Sequence, residues 1–192
     1  MLRVLKNVVK IIICRICYKV EYEGRENIDE NKNYVLMANH VGTMDAPFIW
    51  SDIYNLAMMA KEELFKFKPL GWIFKKVGAF PIARGKKDFG HVFHAVNVVT
   101  KEDKNLLIFP EGTRKARLKN VKAKNGAVYI AATAGVEVIP VHITEDYRLF
   151  GKVKVTYNKP VKLEVTKENI KDKQLLGEET QRVMNIIYGR EK

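Results

Sequence analysis

His40 and Asp45 stand five residues apart in Asn39-His40-Val41-Gly42-Thr43-Met44-Asp45, and Glu111, Thr113 and Arg114 cluster in Phe109-Pro110-Glu111-Gly112-Thr113-Arg114. An imidazole held by a carboxylate through one ring nitrogen can take a proton from a hydroxyl through the other, so the first stretch suits a general base. The second offers an acid, a hydroxyl and a guanidinium whose planar fork fits phosphate oxygens. On its own, the first stretch reads first as a strand-end His and an Asp that caps a helix.

The chemistry that is missing narrows the field. Ser51 is the only serine, and Ile49-Trp50-Ser51-Asp52 contains no G-x-S-x-G elbow; Cys14 and Cys17 both fall in the N-terminal segment. Covalent catalysis therefore has no evident nucleophile. The C-x-x-C pair lacks the second pair or nearby His of a zinc site and the strand-then-helix setting of a redox site, so two small apolar residues on a helix are expected in a reducing, cytosolic setting. His91 and His94 have no third ligand spaced to join them and read as solvated helix residues, and His142 as a hydrogen-bonded strand residue. No metal or cofactor is implied.

The elements that would hold these groups alternate. Tyr34–Ala38, Leu56–Ala60, Ala79–Ala83, Leu106–Phe109 and Val136–Ile143 are short apolar runs of strand length, and Asp45–Tyr54, Phe89–Lys101 and Ala123–Ala134 have helical length and spacing. Gly151–Val165 alternates as a half-exposed strand near an edge, and Glu178–Tyr188 reads as a closing helix. The expected fold is α/β: one domain with a mostly parallel or mixed central sheet flanked by helices, covering residues 21–192. His40 and Glu111 would then sit at strand ends opening onto one crevice, where such sheets place their sites.

Residues 1–20 form a separate amphipathic helix in this reading. Arg3, Lys6, Lys10 and Arg15 interrupt it too often for a membrane span, and no small-residue cleavage site follows. At about 100° per residue, Arg3, Lys6, Asn7 and Lys10 share one face and Leu5, Val8, Val9, Ile12 and Ile16 the other. That pattern suits an interfacial helix and also a helix packed on the core. Phe65–Lys76 interleaves Trp72 and Phe74 with lysines, as a headgroup-level element does, or buries them as a core helix does. The 192-residue chain carries 34 Lys and Arg against 22 Asp and Glu, a net charge of +12. Together these favour an anionic membrane surface, with Leu5, Val9, Ile12, Trp72 and Phe74 as contacts. Nucleic acid ranks below it, because base-stacking and helix-insertion motifs are absent.

With the pattern N-H-x-x-x-x-D followed some seventy residues later by F-P-E-G-T-R, the sequence resembles the glycerolipid acyltransferases. Gly78-Ala79-Phe80-Pro81-Ile82-Ala83-Arg84 and Val138-Ile139-Pro140-Val141 match weaker blocks of that family in order, and the resemblance runs from about Tyr22 to Pro160. Ala60–Phe65 is similar to a segment of its lysophosphatidic acid-specific branch. The resemblance implies acyl transfer from acyl-CoA or acyl carrier protein to the free hydroxyl of lysophosphatidic acid, or else to glycerol phosphate or another lysophospholipid. It implies His40 as base and Asp45 as its orienting partner. Glu111, Gly112, Thr113, Arg114 and Arg84 would bind the phosphate, with Lys61 and Lys124 as further candidates. A non-catalytic lipid-binding module is the rival from another class. A thioester is already activated, so direct transfer needs a base, positioning and an oxyanion site, for which a backbone N–H of the Val41–Met44 turn is the candidate. The cytoplasmic face of the cell membrane is the expected location.

Overall fold

The computed structural model describes residues 2–82, 90–114 and 121–190. In chain order its elements are α1 (Leu2–Val9), a π-helical segment (Lys10–Cys17), β1 (Lys19–Glu23), β2 (Val35–Ala38), α2 (Asp45–Asp52), β3 (Leu56–Lys61), α3 (Glu63–Lys66), α4 (Lys68–Lys76), β4 (Ala79–Ile82), α5 (Gly90–Thr100), β5 (Asn105–Ile108), α6 (Gly126–Ala134), β6 (Val138–Ile143), β7 (Lys152–Tyr157) and α7 (Lys173–Ile187). The described strands form a seven-stranded sheet in the order β1-β7-β6-β2-β5-β3-β4. Every pairing is parallel except β6 with β7. This is the expected single α/β domain.

The central strands are apolar throughout because both faces are covered. Val35, Met37, Leu106, Ile108 and Val138 face a cluster with α5, α6 and α7, while Leu36, Ala38, Leu107, Ile139 and Val141 face a second cluster with α2 and the N-terminal segment. With β6, β2, β5, β3 and β4 all parallel, their carboxyl ends open on one side.

The half-exposed strand β7 lies near an edge as expected, one strand in: β1, unforeseen in the sequence, pairs along its outer side from Lys19↔Lys152 to Glu23↔Thr156. Two expectations change. The N-terminal helix is α-helical only to Val9, and the wider π-turns beyond it rotate the later side chains out of the 3.6-residue phase. Val9 and Ile13 pack on the core, Cys14 is buried, and Val4, Val8, Ile11, Ile12 and Ile16 are exposed. Two lysines of the polar face turn inward. Lys6 Nζ donates to Ile53 O at 2.6 Å, and Lys10 Nζ meets Asp52 Oδ1 at 2.9 Å, both at the carboxyl end of α2 where a helix favours cations. Burial holds the Lys6 ammonium below its usual pKa range, opposed by the Asp52 charge. In Phe65–Lys76 the two readings each take a residue: Trp72 is exposed, and Phe74 packs inward against Phe65. Among the described residues no helix is long and apolar enough to cross a membrane.

Candidate active site

β2 ends at Ala38, and Asn39 fixes where the chain goes next. Its buried amide donates Nδ2–H to Ile143 O (2.9 Å) and accepts the Ile143 N–H on Oδ1 (2.7 Å), which ties the ends of β2 and β6 together. The turn that follows closes on Asp45 at the start of α2. Asp45 Oδ2 accepts the Val41 and Gly42 N–H groups (2.6 and 2.9 Å) and lies 2.7 Å from His40 Nδ1. Its other oxygen, Oδ1, accepts the Tyr147 hydroxyl at 2.7 Å. With no exposed surface, the Asp45 carboxyl group is held by four hydrogen-bond partners, the arrangement that makes such burial tolerable.

His40 is fixed from three sides. Nδ1 faces Asp45, the ring stacks on Phe109 with centroids 4.3 Å apart and planes 20° apart, and the backbone N–H donates to Glu111 Oε2 at 3.0 Å. The side chain remains 21% exposed, which leaves Nε2 as the ring nitrogen for chemistry. Gly42 permits the turn for a steric reason, since a Cβ there would lie 2.2 Å from the Tyr147 oxygen. Burial, reinforced by the Asp45 charge, pushes the Tyr147 phenol well above its usual range, so it stays a donor.

The second motif follows β5, which lies beside β2. The turn brings the Gly112 N–H to Phe109 O (3.0 Å), with Gly112 at φ +66, a conformation that disfavours any side chain. Lys124 is anchored by its N–H on Pro110 O (2.9 Å), and its Nζ lies 3.8 Å from where a Gly112 Cβ would be. Thr113 is half-buried and Arg114 exposed on the same turn. Lys61 ends β3, one strand further along, and is exposed.

A family model described as Acyltransferase matches residues 19–144, a span that contains both motifs. The chain belongs to the acyltransferase family. The resemblance read from the two motifs is thus borne out. The chain is 30% identical over 152 residues to the 1-acyl-sn-glycerol-3-phosphate acyltransferase of Streptococcus pneumoniae, covering 78% of this chain and 56% of that one. It is also 30% identical over 134 residues to the lyso-ornithine lipid O-acyltransferase of Pseudomonas aeruginosa, covering 69% and 51%. The chain spans a little over half the length of these curated relatives. Among solved structures, the 1-acyl-sn-glycerophosphate (LPA) acyltransferase PlsC from Thermotoga maritima superposes with a TM-score of 0.72 at 25% identity, covering 98% of this chain and 77% of that one.

Within the candidate site the geometry brings together His40, Asp45, Glu111, Gly112, Thr113, Arg114 and Lys124, but it gives Glu111 a different setting from the expected phosphate contact. Glu111 is buried, and its second oxygen accepts the hydroxyl of Tyr188, just beyond α7. Both carboxylate oxygens are engaged, and a carboxylate repels a phosphate in any case. The Val41 and Gly42 N–H groups are likewise engaged by Asp45, which takes them out of consideration as oxyanion donors. Of the membrane contacts expected from sequence, Ile12 and Trp72 are exposed, while Val9 and Phe74 pack inward. Arg84 and the side chain of Leu5 lie outside the described residues. Tyr147 and Tyr188 are the residues that sequence reasoning missed: neither lies in a motif, and only the fold brings them to Asp45 and Glu111. The remaining histidines sit apart; His94 meets Phe80 edge-on, with centroids 4.5 Å apart.

Proposed function

We propose that this chain transfers a fatty acyl group from a thioester, acyl-CoA or acyl carrier protein, to the free hydroxyl of lysophosphatidic acid, giving phosphatidic acid. The observation that carries the reading is the fourfold-held, fully buried Asp45 on His40 Nδ1. It keeps the ring in one orientation with Nε2 as the base and stabilises the imidazolium once formed. The acceptor hydroxyl adds to the thioester carbonyl carbon as its proton passes to Nε2. The tetrahedral intermediate then expels the thiolate, which recovers the proton from the imidazolium, so the products are an ester and a free thiol. No acyl-enzyme is needed.

Arg114 and Arg84, with Gly112, Thr113, Lys61 and Lys124, hold the acceptor phosphate, while Glu111 acts through the His40 backbone as a positioning residue. The names of relatives such as the Streptococcus pneumoniae enzyme support this acceptor. The exposed Val4, Val8, Ile11, Ile12, Ile16 and Trp72 support peripheral attachment to an anionic leaflet at the cytoplasmic face of the cell membrane.

The test is acyl transfer in mixed micelles by wild type and His40→Ala. Both thioester donors are paired with lysophosphatidic acid, glycerol 3-phosphate and lysophosphatidylcholine. Phosphatidic acid formed by wild type and reduced about 10²–10⁴-fold in His40→Ala is the expected result. A His40→Ala protein with full activity refutes the mechanism, and preference for another acceptor refutes the substrate.

A further inference from the structure

The connection from β6 to β7 passes from the dyad to open solvent within four residues. Tyr147 sits on Asp45, its ring edge-on to Tyr18 and Phe48, and then Leu149 and Phe150 follow with 57% and 65% of their surface exposed. Phe150 is held at φ +63, where an L-residue crowds its own carbonyl and where Gly, Asn or Asp are the usual occupants. A bulky ring that is both strained and in water adds nothing to the stability of the domain, and strain of this kind is characteristic of functional sites.

The turn is clamped rather than loose. Phe150 N–H donates to Cys17 O at 2.6 Å, and Gly151 O accepts the Lys19 N–H at 2.9 Å. It is thereby continuous with the end of the π-helical segment, whose Ile12 and Ile16 are also exposed. Exposed Arg15, Lys19 and Arg148 border this joined surface, and Glu145 and Asp146 stand at the start of the connection. On a chain of net charge +12, an apolar centre with a basic border complements an anionic lipid leaflet.

We infer that the Arg148–Phe150 turn is a lipid-contacting wedge that seats Leu149 and Phe150 in the leaflet. The inference rests on the proposed reaction for its partner, since a lysophospholipid acceptor lies in that leaflet. The wedge sets the dyad at headgroup depth, since Tyr147, which holds Asp45, is three residues of chain from the inserted ring, so the acceptor meets His40 without leaving the interface.

The test uses the full chain carrying Phe150→Trp in a Trp72→Phe background, where the remaining Trp50 is buried. On vesicles of phosphatidylglycerol and phosphatidylcholine its emission shifts to the blue and is quenched by acyl-chain-brominated lipid. A second protein, Leu149→Ser/Phe150→Asn, keeps the fold because Asn accepts the left-handed backbone, and its Tm is unchanged or higher. Its vesicle affinity falls about tenfold or more. Its turnover of vesicle-borne lysophosphatidic acid falls with that affinity, while turnover of a short-chain, monomeric lysophosphatidic acid is retained. Vesicle-bound protein with unshifted emission, or full vesicle affinity in the double variant, overturns the wedge. Quenching in a protein that transfers no acyl group keeps the wedge and sinks the reaction, so the two failures are distinguishable.

Discussion

Glu111 offers the sharpest division between holding the proposed base and binding the substrate. Its oxygens receive the His40 N–H and the Tyr188 hydroxyl, and Glu111 itself is only 4% exposed, so Tyr188→Phe removes one hydrogen bond to a buried carboxylate without touching the open side of the crevice. Such a bond contributes about 2 kcal/mol, which for a domain of this size corresponds to roughly 4–8 °C in Tm. Glu111→Gln keeps the shape and can still accept from His40 and donate to the tyrosine oxygen, so it is milder than Glu111→Ala, which strands the His40 N–H. If Glu111 positions the base, Tyr188→Phe and Glu111→Ala both lower kcat, leave KM for lysophosphatidic acid within about twofold, and are non-additive, because they break the same chain of contacts. Steady-state kinetics on the four proteins of the Glu111→Ala/Tyr188→Phe cycle and on Glu111→Gln, with thermal melts alongside, measure this. A tenfold rise in KM at constant kcat for Glu111→Gln, or a Tyr188→Phe protein unchanged in both Tm and kcat, would refute the reasoning.

Two further outcomes follow from other parts of the molecule. Burial raises the phenol pKa of Tyr22, Tyr147 and Tyr157 above the unfolded value near 10, so the folded state holds protons that the unfolded chain releases. The stability tied to these groups is complete below pH 10 and is lost as pH climbs above it; melts between pH 8 and 11 should show this fall together with a cooperative rise in phenolate absorbance, and Tyr147→Phe should make the fall shallower. Asp52 joins Lys10 (2.9 Å), Arg25 (3.6 Å) and the Tyr157 hydroxyl (3.3 Å), so Asp52→Asn should speed amide exchange in residues 2–17 by roughly fivefold to tenfold. Exchange in α5 and α6 should stay the same; a uniform change throughout would count against a local clamp.

The sheet was legible because its strands are buried on both faces. Apolar runs such as Leu106–Phe109 and Val138–Ile143 have little else to be, and the helices between them carry their own period. The dyad was legible because its partners are five residues apart in one turn, within reach of local reasoning. β1 was not: Lys19–Glu23 alternates polar and apolar at the end of a helical pattern, and only its parallel pairing with β7 makes it a strand. The facing of the N-terminal segment was legible only in part: Val8, Ile12 and Ile16 are exposed, but Val9 packs inward. A wheel drawn at one fixed angle cannot anticipate the change to π-turns at Lys10, and hydrophobicity alone cannot say that Lys6 and Lys10 would find the end of α2 while Ile11, Ile12 and Ile16 were left outside. Glu111 was assigned to substrate by its place in a motif, whereas its contacts come from the His40 N–H, 71 residues back, and from Tyr188, 77 residues further on, separations over which sequence carries no local signal.

That separation also orders events in time. A growing chain presents the exposed apolar residues of α1 and the π-helical segment before Asp52 exists to receive Lys10, and long before β7 exists to pair with β1. The dyad turn and the Glu111 turn are both made before Tyr188 arrives to brace them. The N-terminal part of the exposed apolar surface is therefore made before the residues that clamp it, and the brace on His40 after both turns it joins. On the proposed membrane reading, folding can then finish with the N-terminal segment already at the lipid surface.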